Sequence, residues 1–588
     1  MRAFLLTAAF LFLPVITPSA TSRIAKKPRA AQSAKTVAAP APAQQWLARL
    51  SLRDRVAQLI MMPCYGENPS TRSKDFRKFR HWVQDLHIGG MIVLNRVVAG
   101  SARNADPYAM AVFLNRMQRL SRLPLLISGD FERGASMRVA NTTKFPHNMA
   151  YGAARAYEAS RFEGAQTARE SRALGVHWVF APDADVNNNP DNPIINIRSY
   201  GEDPEEVAKH VAEYIDGARS DPKHTVMVTV KHFPGHGDTA VDTHFGLAKL
   251  DASRERLAAV EWVPFRAAIA KGVDAVMSAH IALPAVEPRE IPSTVSEKVL
   301  TGVLRDELGF KGIVVTDAMD MQGLTNQFGA GEASVRALEA GADVLLMPKD
   351  ADEAIRAVAQ AVAEGRLTRK RIDQSVMKIL SAKVRLGLAK KRLVDVDDIG
   401  DVIEDGDAEQ SAQSVADRAI TLVRNEGSVA PLRKLGESCV FVLVDSRYSQ
   451  SGRLFSTEMK RRAQGMRAMT FDSTTPETEL KDALAGAAGC DAVAVAAFSS
   501  ASAYRGNAAL PGGLAAFVTA LTEGPRPVAL LSFGNPYLLR AFPKAAAYVA
   551  AGGWAGHGGA DRCRGPNGGA VAADTPVGAS RPAPHPTL

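Results

Sequence analysis

This sequence predicts an α/β protein, a (β/α)8 TIM-type barrel followed by a smaller α/β sandwich domain. Three observations carry that expectation. Eight short apolar segments recur between residues 58 and 347, with amphipathic helical stretches between several of them; strand–helix alternation argues a parallel sheet, and eight units suggest a barrel. Polar residues follow several of these segments directly, at the carboxyl ends where barrels build their sites. Beyond a helical stretch, a second set of buried-strand runs begins near residue 439. A doubly wound open sheet is the alternative, although no GxGxxG follows an early strand to support it.

In order, the barrel strand candidates are Gln58–Met62, Gly90–Leu94, Leu125–Ser128, Trp178–Ala181, Val226–Val230, Ala275–Ala279, Gly312–Thr316 and Asp343–Met347. All are apolar runs of strand length. Asp203–Ala218, Trp262–Lys271 and Ala333–Ala340 carry helical patterning between them. Helical stretches from Ala351 to Leu388 and from Ala408 to Ala419 lead into the second region. There Cys439–Val444, Asp491–Ala497 and Val528–Phe533 read as buried strands.

A chain of 588 residues is too long for one core, so two domains plus extensions are expected. Arg2, the apolar stretch Ala3 to Ile16 and the small residues Pro18-Ser-Ala20 read as a secretory signal over residues 1–20. An uncleaved anchor is the alternative, but the stretch is short for a bilayer. An Ala/Pro/Lys-rich linker, residues 21–44, is expected to be disordered. The barrel with its C-terminal helices then spans 45–390 and the sandwich domain 391–551. Residues 552–588 are rich in Gly, Ala and Pro and too poor in large aliphatics to order themselves. They read either as a natural disordered tail or as a frame-shifted end replacing the domain's last strand and helix.

The net charge of +9 is not a nucleic-acid signal, because Arg2, Arg23, Lys26, Lys27, Arg29 and Lys35 supply six of it within residues 1–44. The body is close to neutral, and no nucleic-acid partner is expected. Cys64, Cys439, Cys490 and Cys563 lack CxxC spacing and form neither a metal knuckle nor a dense disulfide framework. One bridge, Cys439–Cys490, is compatible with an oxidising compartment.

The chemistry concentrates at three strand ends. Asp130 follows Leu125–Gly129, with Glu132 and Arg133 close behind. Lys231 and His232 open the run KHFPGHGDTAVDTH, which ends at Asp242 and His244. Asp317 follows Gly312–Thr316 directly. Taken singly, each has a plain reading: Asp130 and Asp317 could cap helices, and His232 and His236, four apart, could hold a structural metal. Pro234 and Gly235 forbid the helix that such a zinc spacing needs, so no metal is expected. The joint occurrence of the three polar clusters favours a catalytic loop.

KHFPGHGDTAVDTH resembles the signature of glycoside hydrolase family 3, in its β-N-acetylglucosaminidase branch. The barrel, the following α/β domain and the run Ala419-Ile-Thr-Leu-Val-Arg-Asn425 match that layout over roughly residues 45 to 550. The resemblance implies a cofactor-free glycosidase acting on a carbohydrate substrate with terminal β-linked GlcNAc, in peptidoglycan fragments or chitooligosaccharides. Exported to the periplasm or beyond, it would have no stable membrane insertion after signal cleavage. Asp317 in VVTDAMDM would be the nucleophile, with Asp320 ranked lower. His244 would be the acid/base, and Asp242 would orient it. Phosphate could compete with water as acceptor. Asp130, Arg198, Lys231 and His232 would bind the sugar. The alternative for Arg198 is an exposed ion pair with Glu202 or Asp203. DFERGASMR departs from the family's DQEGGR-like segment, which leaves Arg133 and Arg138 without an assigned role. A family 3 β-glucosidase and a non-catalytic sugar-binding module are the rival readings.

Overall fold

The computed structural model describes residues 41–551, except 99–100, 433–434, 446–449, 464, 500–506 and 508. The expected signal, most of the linker, Cys563 and the 552–588 tail lie outside the described residues. Among the described residues, no helix is long and apolar enough to cross a membrane. The linker's last four residues are not disordered: they open the helix Ala41–Ala48. Its Trp46 and Leu47 pack on the barrel core, which is why this stretch orders despite its Ala/Pro-rich start.

Eight strands form the first sheet: β1 Ile60–Cys64, β2 Gly90–Val93, β3 Leu126–Gly129, β4 Trp178–Val179, β5 Met227–Phe233, β6 Ala275–Ser278, β7 Ile313–Val315 and β8 Leu345–Leu346. All eight segments expected from the sequence are present. They pair in the order β7-β6-β5-β4-β3-β2-β1-β8, all parallel. The ring closes through a Val315–Val344 bridge, where Thr316 N–H donates to the Val344 carbonyl at 3.0 Å and Leu346 N–H to Thr316 Oγ1 at 3.0 Å. Strands covered on both faces must be apolar throughout, and β2, β3, β6 and β7 are buried at every residue.

The second domain is a six-stranded sheet of β9 Thr421–Asn425, β10 Cys439–Val444, β11 Arg467–Phe471, β12 Val493–Phe498, β13 Val528–Ser532 and β14 Ala547–Ala550. Its order is β9-β14-β13-β12-β10-β11, parallel except for β9 against β14. The period-two alternation of β10 builds both layers. Cys439, Phe441 and Leu443 meet the helices Glu477–Ala487 and Leu514–Glu523 on one face. Val440, Val442 and Val444 join the cluster that includes Phe455 and Met459 of the helix Gln450–Arg462 on the other. Cys439 and Cys490 form a disulfide, and Cys64 is free and buried.

Candidate active site

The carboxyl ends of β3, β4, β5, β6 and β7 converge on one polar cluster. Asp130 and Glu132 follow β3, Asp183 and Asp185 follow β4, His280 follows β6 and Asp317 follows β7. Lys231 and His232 lie inside β5, not on the loop after it, because the strand runs on to Phe233 past a register shift against β6.

Lys231 is 2% exposed, and its Nζ lies 3.0 Å from Asp130, 2.6 Å from Glu132 and 4.0 Å from Asp183. Burial disfavours its charge, but the three carboxylates outweigh burial and raise its pKa. Arg198 makes a two-pronged contact with Glu132, Nε at 2.9 Å and Nη2 at 2.8 Å. The ion pair with Glu202 or Asp203 is therefore replaced by one to Glu132, while Asp203 caps the helix Pro204–Ala218 instead. Planar guanidinium–carboxylate pairing of this kind fixes orientation as well as charge. Burial would lift Glu132, yet Arg198 and Lys231 hold it well below the ordinary carboxylate value. Arg138 donates to Asp130 at 3.3 Å and to Asn95 at 2.5 Å, so Arg138 rather than Arg133 meets Asp130.

His232 donates its Nδ1 proton to Asp185 Oδ2 at 2.7 Å, and Arg198 Nη2 approaches its Nε2 at 3.3 Å. Burial works against a charged ring here, but contact with Asp185 prevails and raises the His232 pKa. Asp185 also accepts the His236 backbone N–H at 2.6 Å. Asp183, Asp185 and His232 lie close enough to offer three metal ligands. The cations Arg198, 3.4 Å from Asp183, and Lys231 already answer this charge, so the trio reads as part of an ion-pair network. Burial, with Glu132 nearby, pushes Asp183 up to about 7.

The long loop is tied down by its own unusual residues. A Cβ at Gly237 would sit 1.8 Å from the Val186 carbonyl oxygen, so only glycine lets the loop press against the segment after β4. His236, whose role the sequence left open, bonds Thr239 Oγ1 at 2.7 Å and Thr243 Oγ1 at 3.3 Å, bracing the backbone beside Asp242 and His244. Asp242 is fully buried, and its Oδ1 accepts both the His244 backbone N–H at 2.9 Å and Nδ1–H at 2.7 Å. This sets the ring with Nε2 directed away from Asp242. The Thr243 carbonyl accepts the Gly323 N–H at 3.0 Å, which joins this loop to the segment after Asp317.

Asp317 N–H donates to the Ser278 carbonyl at 3.1 Å, and its Oδ1 accepts from Ala318 N–H at 2.7 Å. Burial favours the neutral acid, but His232, His280, the Ala318 N–H and His244 together hold its pKa below the ordinary carboxylate value. His280 donates Nε2–H to the Ala318 carbonyl at 2.9 Å and meets Thr294 through Nδ1 at 2.9 Å, steadying the Asp317 turn. Asp320 is exposed. The arrangement thus offers an ionised carboxylate on β7, a carboxylate-oriented imidazole within its electrostatic reach, and a cradle of paired charges suited to hydroxyl groups.

Every site residue expected from the sequence reaches this one mouth. Asp183, Asp185 and His280 were missed, although each follows a strand segment as Asp130 does, and that signal could have found them. Glu132 was noticed without a role.

Residues 51–382 match the profile of the glycosyl hydrolase family 3 N terminal domain. The chain belongs to glycosyl hydrolase family 3. A "Beta-N-acetylglucosaminidase/beta-glucosidase" of Cellulomonas fimi is 33% identical over 402 residues, covering 66% of this chain and 67% of that protein. A solved family 3 β-N-acetylglucosaminidase from Paenibacillus sp. str. FPU-7 superposes with a TM-score of 0.75 at 33% identity, over 86% of this chain and 94% of that one. The β-glucoside phosphorylase BglX superposes with a TM-score of 0.74 at 26% identity, over 87% and 90%.

The buried histidines carry a stability prediction. Burial depresses His236 to about 4, and His210, beside Ser160 and stacked on Tyr200, also to about 4. Below pH 6.5 each of these two rings binds a proton in the unfolded chain that it refuses in the folded one until about pH 4, so each takes stability away as pH drops through this window. Each histidine costs about 2 kcal/mol at pH 5 relative to neutral pH. Urea unfolding of wild type and His210→Gln at pH 7.5 and pH 5 isolates the effect: the change in stability between the two pH values should differ by about 2 kcal/mol, and an identical change would contradict it.

Proposed function

We propose that the protein is an exo-acting, retaining β-N-acetylglucosaminidase. The observation that carries this reading is the Asp242–His244 pair, set on the barrel itself within electrostatic reach of Asp317. Ionised Asp317 attacks the anomeric carbon as the glycosidic C–O bond breaks, and His244 gives its proton to the departing oxygen. The neutral imidazole then takes a proton from water as that water attacks the same carbon, which frees Asp317. Asp242 orients the ring through its contact with Nδ1–H. Lys231, Asp130, Arg198 and His232 grip the sugar hydroxyls. The names of the Cellulomonas and Paenibacillus relatives support GlcNAc at the cleaved unit. Terminal β-GlcNAc of peptidoglycan fragments or chitooligosaccharides is the substrate class, met after export directed by residues 1–20.

Steady-state kinetics on aryl β-GlcNAc and aryl β-glucoside tests the reading. The expected result is a kcat/KM at least about tenfold higher for GlcNAc, worth about 1.4 kcal/mol of transition-state discrimination. A preference for glucoside would favour a β-glucosidase, an activity that the Cellulomonas relative's name also includes. The BglX likeness favours a second acceptor. An imidazole donor places no second carboxylate beside an incoming anion, so added phosphate should divert part of the product to the sugar 1-phosphate.

A further inference from the structure

We propose that Asn535 and Tyr537, on the second domain, are positioning residues for the barrel loop that carries Arg198. This rests on the reading of Arg198 as a sugar-binding group. The turn after β13 is anchored on its own sheet: the Asn535 N–H donates to the Ser499 carbonyl at 2.8 Å and the Ser532 hydroxyl to the Asn535 carbonyl at 2.6 Å. From this base two side chains reach the loop after β4. Asn196 Nδ2 donates to Asn535 Oδ1 at 3.2 Å, and Asn187 Nδ2 donates to the Tyr537 phenol oxygen at 3.1 Å. The same phenol donates to Glu202.

Inside the loop the two contacts are linked, because Asn187 Oδ1 accepts the Asn196 backbone N–H at 2.9 Å. Asn196 is fully buried with φ +46°, a left-handed conformation that a non-glycine residue keeps only when its surroundings hold it. Two residues on, Arg198 meets Glu132 and His232, so a shift of Asn196 moves the guanidinium in the sugar cradle. The second domain thereby acts on substrate binding without touching substrate.

The test is Tyr537→Phe, which keeps the ring and removes the hydroxyl, read in two independent ways. Hydrogen exchange of peptides covering residues 187–198 should quicken while the rest of the chain is unchanged. The KM for aryl β-GlcNAc should rise about fivefold, the loss of one neutral hydrogen bond, with kcat within about twofold. In an Arg198→Lys background the same substitution should add nothing further to KM. Unchanged exchange overturns the positioning role. So does exchange that quickens throughout the chain, or a KM rise that is absent or adds in full to that of Arg198→Lys. Wild-type protein inactive on aryl β-GlcNAc would count against the functional reading, and the exchange result would still decide whether Tyr537 positions the loop.

Discussion

Asp317→Asn lowers kcat by roughly 10^4-fold or more on every glycoside, a loss of about 5 kcal/mol of transition-state stabilisation. The substitution keeps the side chain's size and an acceptor for the Ala318 N–H, so the turn after β7 survives and binding is spared. What it removes is the oxygen nucleophile that would bond to the anomeric carbon. The neighbouring His232, His244 and His280 keep their hydrogen bonds to Asp185, Asp242 and the Ala318 carbonyl. The check is kcat alongside inhibitor affinity measured by calorimetry. Substantial residual turnover with intact binding would remove Asp317 from the nucleophile's role.

His244→Ala separates substrates by leaving group. Departure of a sugar alkoxide needs a proton, so loss of the donor slows GlcNAc disaccharides by about 10^2- to 10^4-fold. Activated aryl glycosides leave without that proton, and their first bond-breaking step should be nearly spared. The second step still needs a base to activate water, so the aryl substrates should show a burst followed by slow turnover. An equal loss on both substrate classes, with no burst, would contradict the proton-transfer role. The Asp317 carboxyl is held below its ordinary pKa, so kcat/KM of this variant on activated substrates should stay flat from pH 7 down to about pH 5. A decline across that range would show that another group controls the nucleophile.

The barrel was legible because its strands are uniform apolar runs, buried on both faces. Polar residues hide a strand's end: β5 continues through Lys231 and His232, which look like loop from their chemistry alone. In the second domain β11 carries no such signal. It is a sheet-edge strand that starts on exposed Arg467 and is fully buried only at Phe471, so it presents no apolar run. β14 is four residues long with Tyr548 as its one large side chain, too short to stand out.

The site divides along the same line. Asp242 and His244 are two residues apart, and a contact that local can be read from the chain. The bond from Arg198 to Glu132 crosses 66 residues, and that from Asn196 to Asn535 crosses 339. Such pairings are set by strand order and domain docking, and no spacing in the sequence announces them. The linker's end shows the opposite error: composition argued disorder, whereas Trp46 and Leu47 gained enough buried apolar contact to fix a helix.

In the proposed mechanism Asp317 becomes covalently bonded to the sugar. Mass spectrometry of the His244→Ala protein, quenched during turnover of an activated aryl β-GlcNAc and digested, measures this directly, because that variant forms the intermediate faster than it breaks it down. The expected result is one N-acetylhexosaminyl adduct on the peptide that contains Asp317. An adduct on another residue, or release of the aryl group in a burst with no adduct on the protein, would contradict it.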